Sequence, residues 1–69
     1  MQFNYSRLRG KIRECGLTEE KLAKAIGMTK NTLSDKLNRK SQFKTVEMYN
    51  ICKVLGIDLK DIDYYFFAE

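Results

Sequence analysis

Apolar residues recur along this chain at spacings of three and four, the period of amphipathic helices. Tyr5, Leu8, Ile12 and Cys15 form a first stripe and predict a helix from about Tyr5 to Glu14. Asn4 or Ser6 can cap its start, and Gly16 stands just past its end, where a left-handed residue is favoured. Gly10 lies inside this helix and costs it up to about 1 kcal/mol relative to Ala. Leu22, Ala23 and Ile26 form a second, shorter stripe. Thr18 is a good N-cap for it, and Glu19 and Glu20 occupy its first turn, where the helix dipole favours negative charge. Gly27-Met28 stops it. A third helix starts near Thr29 and runs to about Leu37, with Leu33 and Leu37 as its apolar pair. Its remaining positions, Lys30, Asn31, Thr32, Ser34, Asp35 and Lys36, are polar.

Residues 38–42 read as a polar, basic loop, with Phe43 as the anchor that ties it to the core. Met48, Ile51, Cys52 and Leu55 predict a fourth helix from roughly Thr45 to Leu55, ended by Gly56. Asp58 can cap a short fifth helix with Leu59, Ile62 and Phe66 inward. The closing run Tyr64-Tyr65-Phe66-Phe67 suits either a helix or an extended tail. The pattern contains no repeat and no linker. It predicts an all-α, compact five-helix domain with a short aromatic C-terminal tail, occupying residues 1–69 as one unit.

Composition narrows the chemistry. A chain of 69 residues is one small domain, with room for a helical core and none for a deep cleft between lobes. His is absent, which removes the commonest metal ligand and the usual proton-transfer side chain near neutral pH. Cys15 and Cys52 are far apart in sequence and cannot make a structural zinc site. They could form one disulfide, but both fall in helical stripes, where small buried thiols are the commoner outcome. No nucleophile–base pair and no Gly-rich phosphate loop is evident. No enzyme activity, no cofactor, no metal and no small-molecule ligand are therefore expected. No stretch reaches the roughly 18 apolar residues of a membrane span, and the basic start is followed by no apolar signal region. A reduced, cytoplasmic setting without a membrane partner is expected.

The formal charge of +4 is unevenly placed. Residues 1–40 hold ten Lys/Arg against four Asp/Glu, and residues 41–69 hold three against five. A basic half suits a polyanion-binding surface; an uneven but ordinary solvated surface explains it equally well. The organisation of residues 19–38 adds to this. A short amphipathic helix, a Gly turn and a second short helix with one narrow stripe cannot be stable alone. Packing along that stripe leaves the polar side of the second helix facing solvent, with side chains suited to base edges in a major groove. This is the organisation of a helix-turn-helix.

The run LTEEKLAKAIGMTKNTLSDKLNRK resembles the helix-turn-helix of the lambda repressor/Cro/Xre superfamily of phage and bacterial regulators. Leu22, Ala23, Ile26-Gly27-Met28 and Leu33 carry the likeness within the motif. Leu8, Ile12, Phe43, Ile51 and Leu55-Gly56-Ile57 extend it over nearly the whole chain. The TLSDKLN…F run is especially similar to small phage-type and prophage-type Cro-like repressors. The resemblance implies base-reading positions at Lys30, Asn31, Ser34 and Asp35, of which Asp35 can instead pair with Arg39. It implies phosphate contacts from Thr29, Thr32, Lys36, Asn38, Arg39 and Lys40. The same residues also suit a plain solvated helix face. Lys36 stands where many relatives carry an apolar residue; with Leu37 in the core role, it is expected to point at a DNA backbone. Arg9, Arg13, Lys21 and Lys24 read as ordinary surface charges. Two positions depart from the family pattern. Glu19 replaces the frequent Gln that bonds a phosphate, and Arg39 follows Asn38 where Gly is frequent, so that Asn38 is expected to take the left-handed cap.

The implied function is sequence-specific regulation of transcription at a double-stranded DNA operator, in the manner of a concentration-controlled Cro-like repressor. The alternative is a small protein–protein modulator, an anti-repressor or co-repressor, that keeps the fold and binds a partner repressor. Val46, Tyr49, Tyr64, Tyr65 and Phe67 outline a candidate homodimer surface, formed at least on DNA; the rings could instead cover the fourth helix within one monomer.

Overall fold

In a computed structural model, which describes residues 5–67, the helices begin and end largely where local chemistry requires. Helix α1 spans Ser6–Glu14, α2 Glu19–Ala25, α3 Lys30–Leu37 and α4 Thr45–Leu55. A 3₁₀ turn over Leu59–Asp61 leads into α5, Ile62–Phe66. The described residues are thus all-helical, with five α-helices and no strand. Thr18 caps α2 by accepting from the Lys21 amide at 3.1 Å, and Thr29 caps α3 by accepting from the Thr32 amide at 3.2 Å. In the first turn of α4, the Glu47 carboxylate reaches back to the Lys44 amide at 2.8 Å. Asn4, one of the two caps expected for α1, lies outside the described residues. Ser6 is the first helical residue, and Tyr5 occupies the N-cap with no side-chain cap bond.

Twelve side chains from every α-helix and two connecting segments form one core: Leu8, Ile12, Leu22, Ala23, Leu33, Leu37, Phe43, Ile51, Cys52, Leu55, Ile57 and Phe66. Fully burying an apolar side chain of this size contributes about 1.5–3 kcal/mol, which is what fastens helices too short to persist alone. Phe43 anchors the loop as expected. Its ring meets Tyr5 and Phe66 edge-on, each at a centroid separation of 5.4 Å. The aromatic end is therefore a helix held by Phe66, not an extended tail.

Several expectations are corrected. Cys15 is exposed, because it falls at the C-cap of α1, beyond the helical register; its thiol lies 3.5 Å from the Leu55 carbonyl oxygen. Cys52 is buried, and both thiols are free. Burial pushes the Cys52 thiol pKa above its ordinary value. Leu59 points outward, about half exposed, because the tighter 3₁₀ turn rotates it away from the face that Ile62 and Phe66 share. The helix-ending Asn38 keeps φ −91°, and it is Arg39 that adopts the left-handed conformation, at φ 65°. A methyl group on Gly10 would meet nothing within 4 Å.

Candidate functional site

Helices α2 and α3 pack against each other through Leu22, Ala23 and Leu33, all buried. Gly27 makes the turn between them at φ 74°, a conformation that other residues adopt only with strain. The Met28 amide then returns to the Ala23 carbonyl at 2.8 Å and closes the corner. This is a helix-turn-helix built on three buried side chains and a left-handed glycine.

The corner sets the orientation of α3. Lys30, Asn31 and Asp35 are exposed, and Ser34 is half-buried. These four residues share the outer side of one short helix whose inner side is pinned by Leu33 and Leu37. Thr29 and Thr32 lie exposed at its start, joined hydroxyl to hydroxyl at 2.8 Å. Asn38, Arg39 and Lys40 are exposed at its end.

Lys36 does not join that surface. It lies three residues after Leu33, on the same inward stripe, and is 7% exposed. Its ammonium donates to the Gln42 carbonyl at 2.9 Å and pairs with Glu47 at 3.0 Å. The phosphate role expected for Lys36 is therefore replaced by an internal one. It ties the loop after α3 to the first turn of α4. Burial alone would raise the Glu47 pKa. The Lys44 amide and the Lys36 ammonium outweigh that and hold the carboxyl below the ordinary carboxylate range. The signal in the sequence was the i, i+3 spacing from Leu33, which places position 36 inward whatever residue occupies it.

Arg9 is the residue that sequence reasoning passed over. Its guanidinium donates to Glu19 at 3.0 Å and to Asn38 at 2.8 Å. Asn38 in turn donates to the Ser34 hydroxyl at 3.4 Å. A chain of polar contacts thus runs from the start of α2 to the outer face of α3. Beside it, Arg9, Ile12, Arg13, Leu17, Thr18 and Glu19 line a shallow open pocket at the α1–α2 junction. Neither α1 nor the order Arg9…Glu19…Asn38 marks these residues as neighbours, because their separations of 10 and 29 residues have no periodic meaning.

On the candidate dimer surface, Val46, Tyr49, Tyr64 and Phe67 are exposed, and Tyr65 is half-buried. The Tyr64 ring packs edge-on against Tyr65, with centroids 5.0 Å apart, and the Arg7 guanidinium lies 4.1 Å from the Tyr64 ring centroid. Among the described residues, no cluster of His, Cys, Asp or Glu is suited to hold a metal ion. No helix among them is long and apolar enough to cross a membrane.

The fold and the exposed face of α3 define a helix-turn-helix among the described residues. The chain belongs to the family described as Protein of unknown function (DUF739), which matches residues 1–69. It is also similar to the modulator of repression (MOR) of the temperate bacteriophage TP901-1 from Lactococcus lactis, known from its solution structure. The two share 40% sequence identity and a TM-score of 0.82, over 97% of this chain and 90% of that one. No curated protein matches the chain. The family shown is thus DUF739, and the likeness to Cro and Xre repressors stands as a resemblance carried by the helix-turn-helix.

Proposed function

We propose that this protein is a phage-type or prophage-type modulator of repression that acts by binding a partner repressor protein. The observation that carries this reading is the end-to-end likeness to MOR at 40% identity, since that protein is named for an effect on repression. The surface supports it. The outer side of α3 mixes Lys30 and Asp35 around neutral Asn31 and Ser34, a pattern suited to a protein surface. Val46, Tyr49, Tyr64 and Phe67 add exposed apolar area of the kind that protein interfaces use.

The second reading is direct operator recognition. It is favoured by the exposure of Lys30 and Asn31 at the start of α3, where a groove-reading helix makes its first base contacts. On that reading the protein acts as a homodimer, with Val46, Tyr49, Tyr64, Tyr65 and Phe67 between the two copies.

One paired measurement separates the two. The purified protein is mixed with the repressor encoded in the same phage or prophage genome, and separately with promoter duplex from that genome at low salt. A stable complex with the repressor and no duplex shift is expected. A salt-dependent duplex shift without any repressor complex would replace the first reading by the second.

A further inference from the structure

The Arg9–Glu19–Asn38 bridge carries a consequence for what this surface rejects. Arg9 and Glu19 side chains are each about one-third exposed, at 34% and 32%, so their ion pair lies on the rim of the molecule and not in its core. Two of the guanidinium's donors are taken up within the protein, one by Glu19 and one by Asn38. The charge of Arg9 is cancelled locally, and the Asn38 oxygen is occupied by it.

The position of the bridge matters. When a helix-turn-helix engages a duplex, its second helix enters the major groove while its first crosses the sugar–phosphate backbone. Here the first helix is α2, and it opens with Glu19 and Glu20. A duplex laid along α3 must bring phosphates past that end. It would meet a carboxylate, an arginine already neutralised, and an asparagine already bonded. A cation free to contact a phosphate adds affinity by releasing counterions; this corner withholds one and opposes it with an anion.

We propose that Glu19 is a specificity-determining residue that turns nucleic acid away from this domain. It silences Arg9, and through Arg9 it occupies the end of α3, leaving the face to a protein partner. This inference rests on the reading of the target as a protein.

The test uses Glu19→Gln, which keeps the length of the side chain and an oxygen for Arg9 while removing the charge. Wild type, Glu19→Gln and the double variant Arg9→Met/Glu19→Gln are titrated onto a fluorescent duplex of about 20 random base pairs, between about 50 and 200 mM salt, and followed by anisotropy. Thermal melts of all three establish that each is folded. Glu19→Gln is expected to bind the duplex about fivefold more tightly than wild type at the low-salt end, with a salt slope steeper by about 1. The double variant is expected to lose that gain, because the gain comes from the Arg9 charge that residue 19 no longer cancels. Equal affinity and slope for wild type and Glu19→Gln would overturn the inference and leave the pair as a staple between α1 and α2. So would a gain that survives loss of Arg9. Failure of the partner-protein reading is registered separately, by absence of a repressor complex with the wild-type protein.

Discussion

The Lys36 ammonium lies 3.0 Å from the Glu47 carboxylate, with only 8% and 21% of the two side chains exposed, so one nearly buried ion pair joins α3 to α4. The same ammonium donates to the Gln42 carbonyl, and the same carboxylate accepts from the Lys44 amide. Four groups from two helices and the loop between them are therefore satisfied together. Breaking such a set by removing one partner costs more than the pair contributes by itself, because a buried charge is left uncompensated.

Glu47→Gln is accordingly expected to destabilise the fold by about 2 kcal/mol near neutral pH. Lys36→Met should cost less, since Glu47 is the more exposed partner and keeps its bond to the Lys44 amide. The Glu47 pKa is lowered in the folded state, so its stabilisation is present above the unfolded-state value and fades as pH falls through the folded one. The difference in stability between wild type and Glu47→Gln should therefore shrink on acidification. Urea unfolding at a series of pH values checks both statements, and a difference that grows toward acid pH would contradict them.

Arg39 holds φ 65° without being glycine, directly after the cap residue of α3. The left-handed conformation costs an L-residue about 1–2 kcal/mol. Glycine removes that strain but adds about 0.5–1 kcal/mol of unfolded-state entropy. Arg39→Gly is expected to stabilise the domain by about 0.5 kcal/mol, a small upward shift of the melting temperature.

Gly10 sits within α1, exposed, with open space where a methyl group would lie. Gly10→Ala should therefore stabilise the protein by close to the full helix-propensity difference, about 0.8–1 kcal/mol. A loss of stability in the melt would contradict this.

Phe66, the last residue of α5, is fully buried and meets Phe43 edge-on. Phe66→Ala should cost about 3–5 kcal/mol, a large share of what a domain this small can hold. Loss of cooperative unfolding in circular dichroism is the expected result, whereas Phe66→Leu should retain it.

Lys30 and Asn31 stand on the exposed start of α3, with no core contact to lose. Alanine at either position should change stability by less than about 0.5 kcal/mol. If α3 is the recognition helix, each should still weaken binding to the target, by about 1–3 kcal/mol for a residue central to the contact. Melting curves and target titrations on the same preparations decide this.

The sequence alone determined the five helices, the hydroxyl caps at Thr18 and Thr29, the glycine at the turn and, except at Lys36, the solvent-facing side of α3, because each follows from short-range periodicity and capping chemistry. The tertiary structure decided which polar residues meet. Arg9 is one more charge on α1 until Glu19 and Asn38 are brought to it, and the spacing that turns Lys36 inward does not name Glu47 and Gln42 as its partners. The same holds for Leu59, turned outward by a 3₁₀ geometry that periodicity does not announce. Local patterns encode which face of a helix is dry. They do not encode which distant group is waiting there, since that depends on how the packed helices are placed against one another.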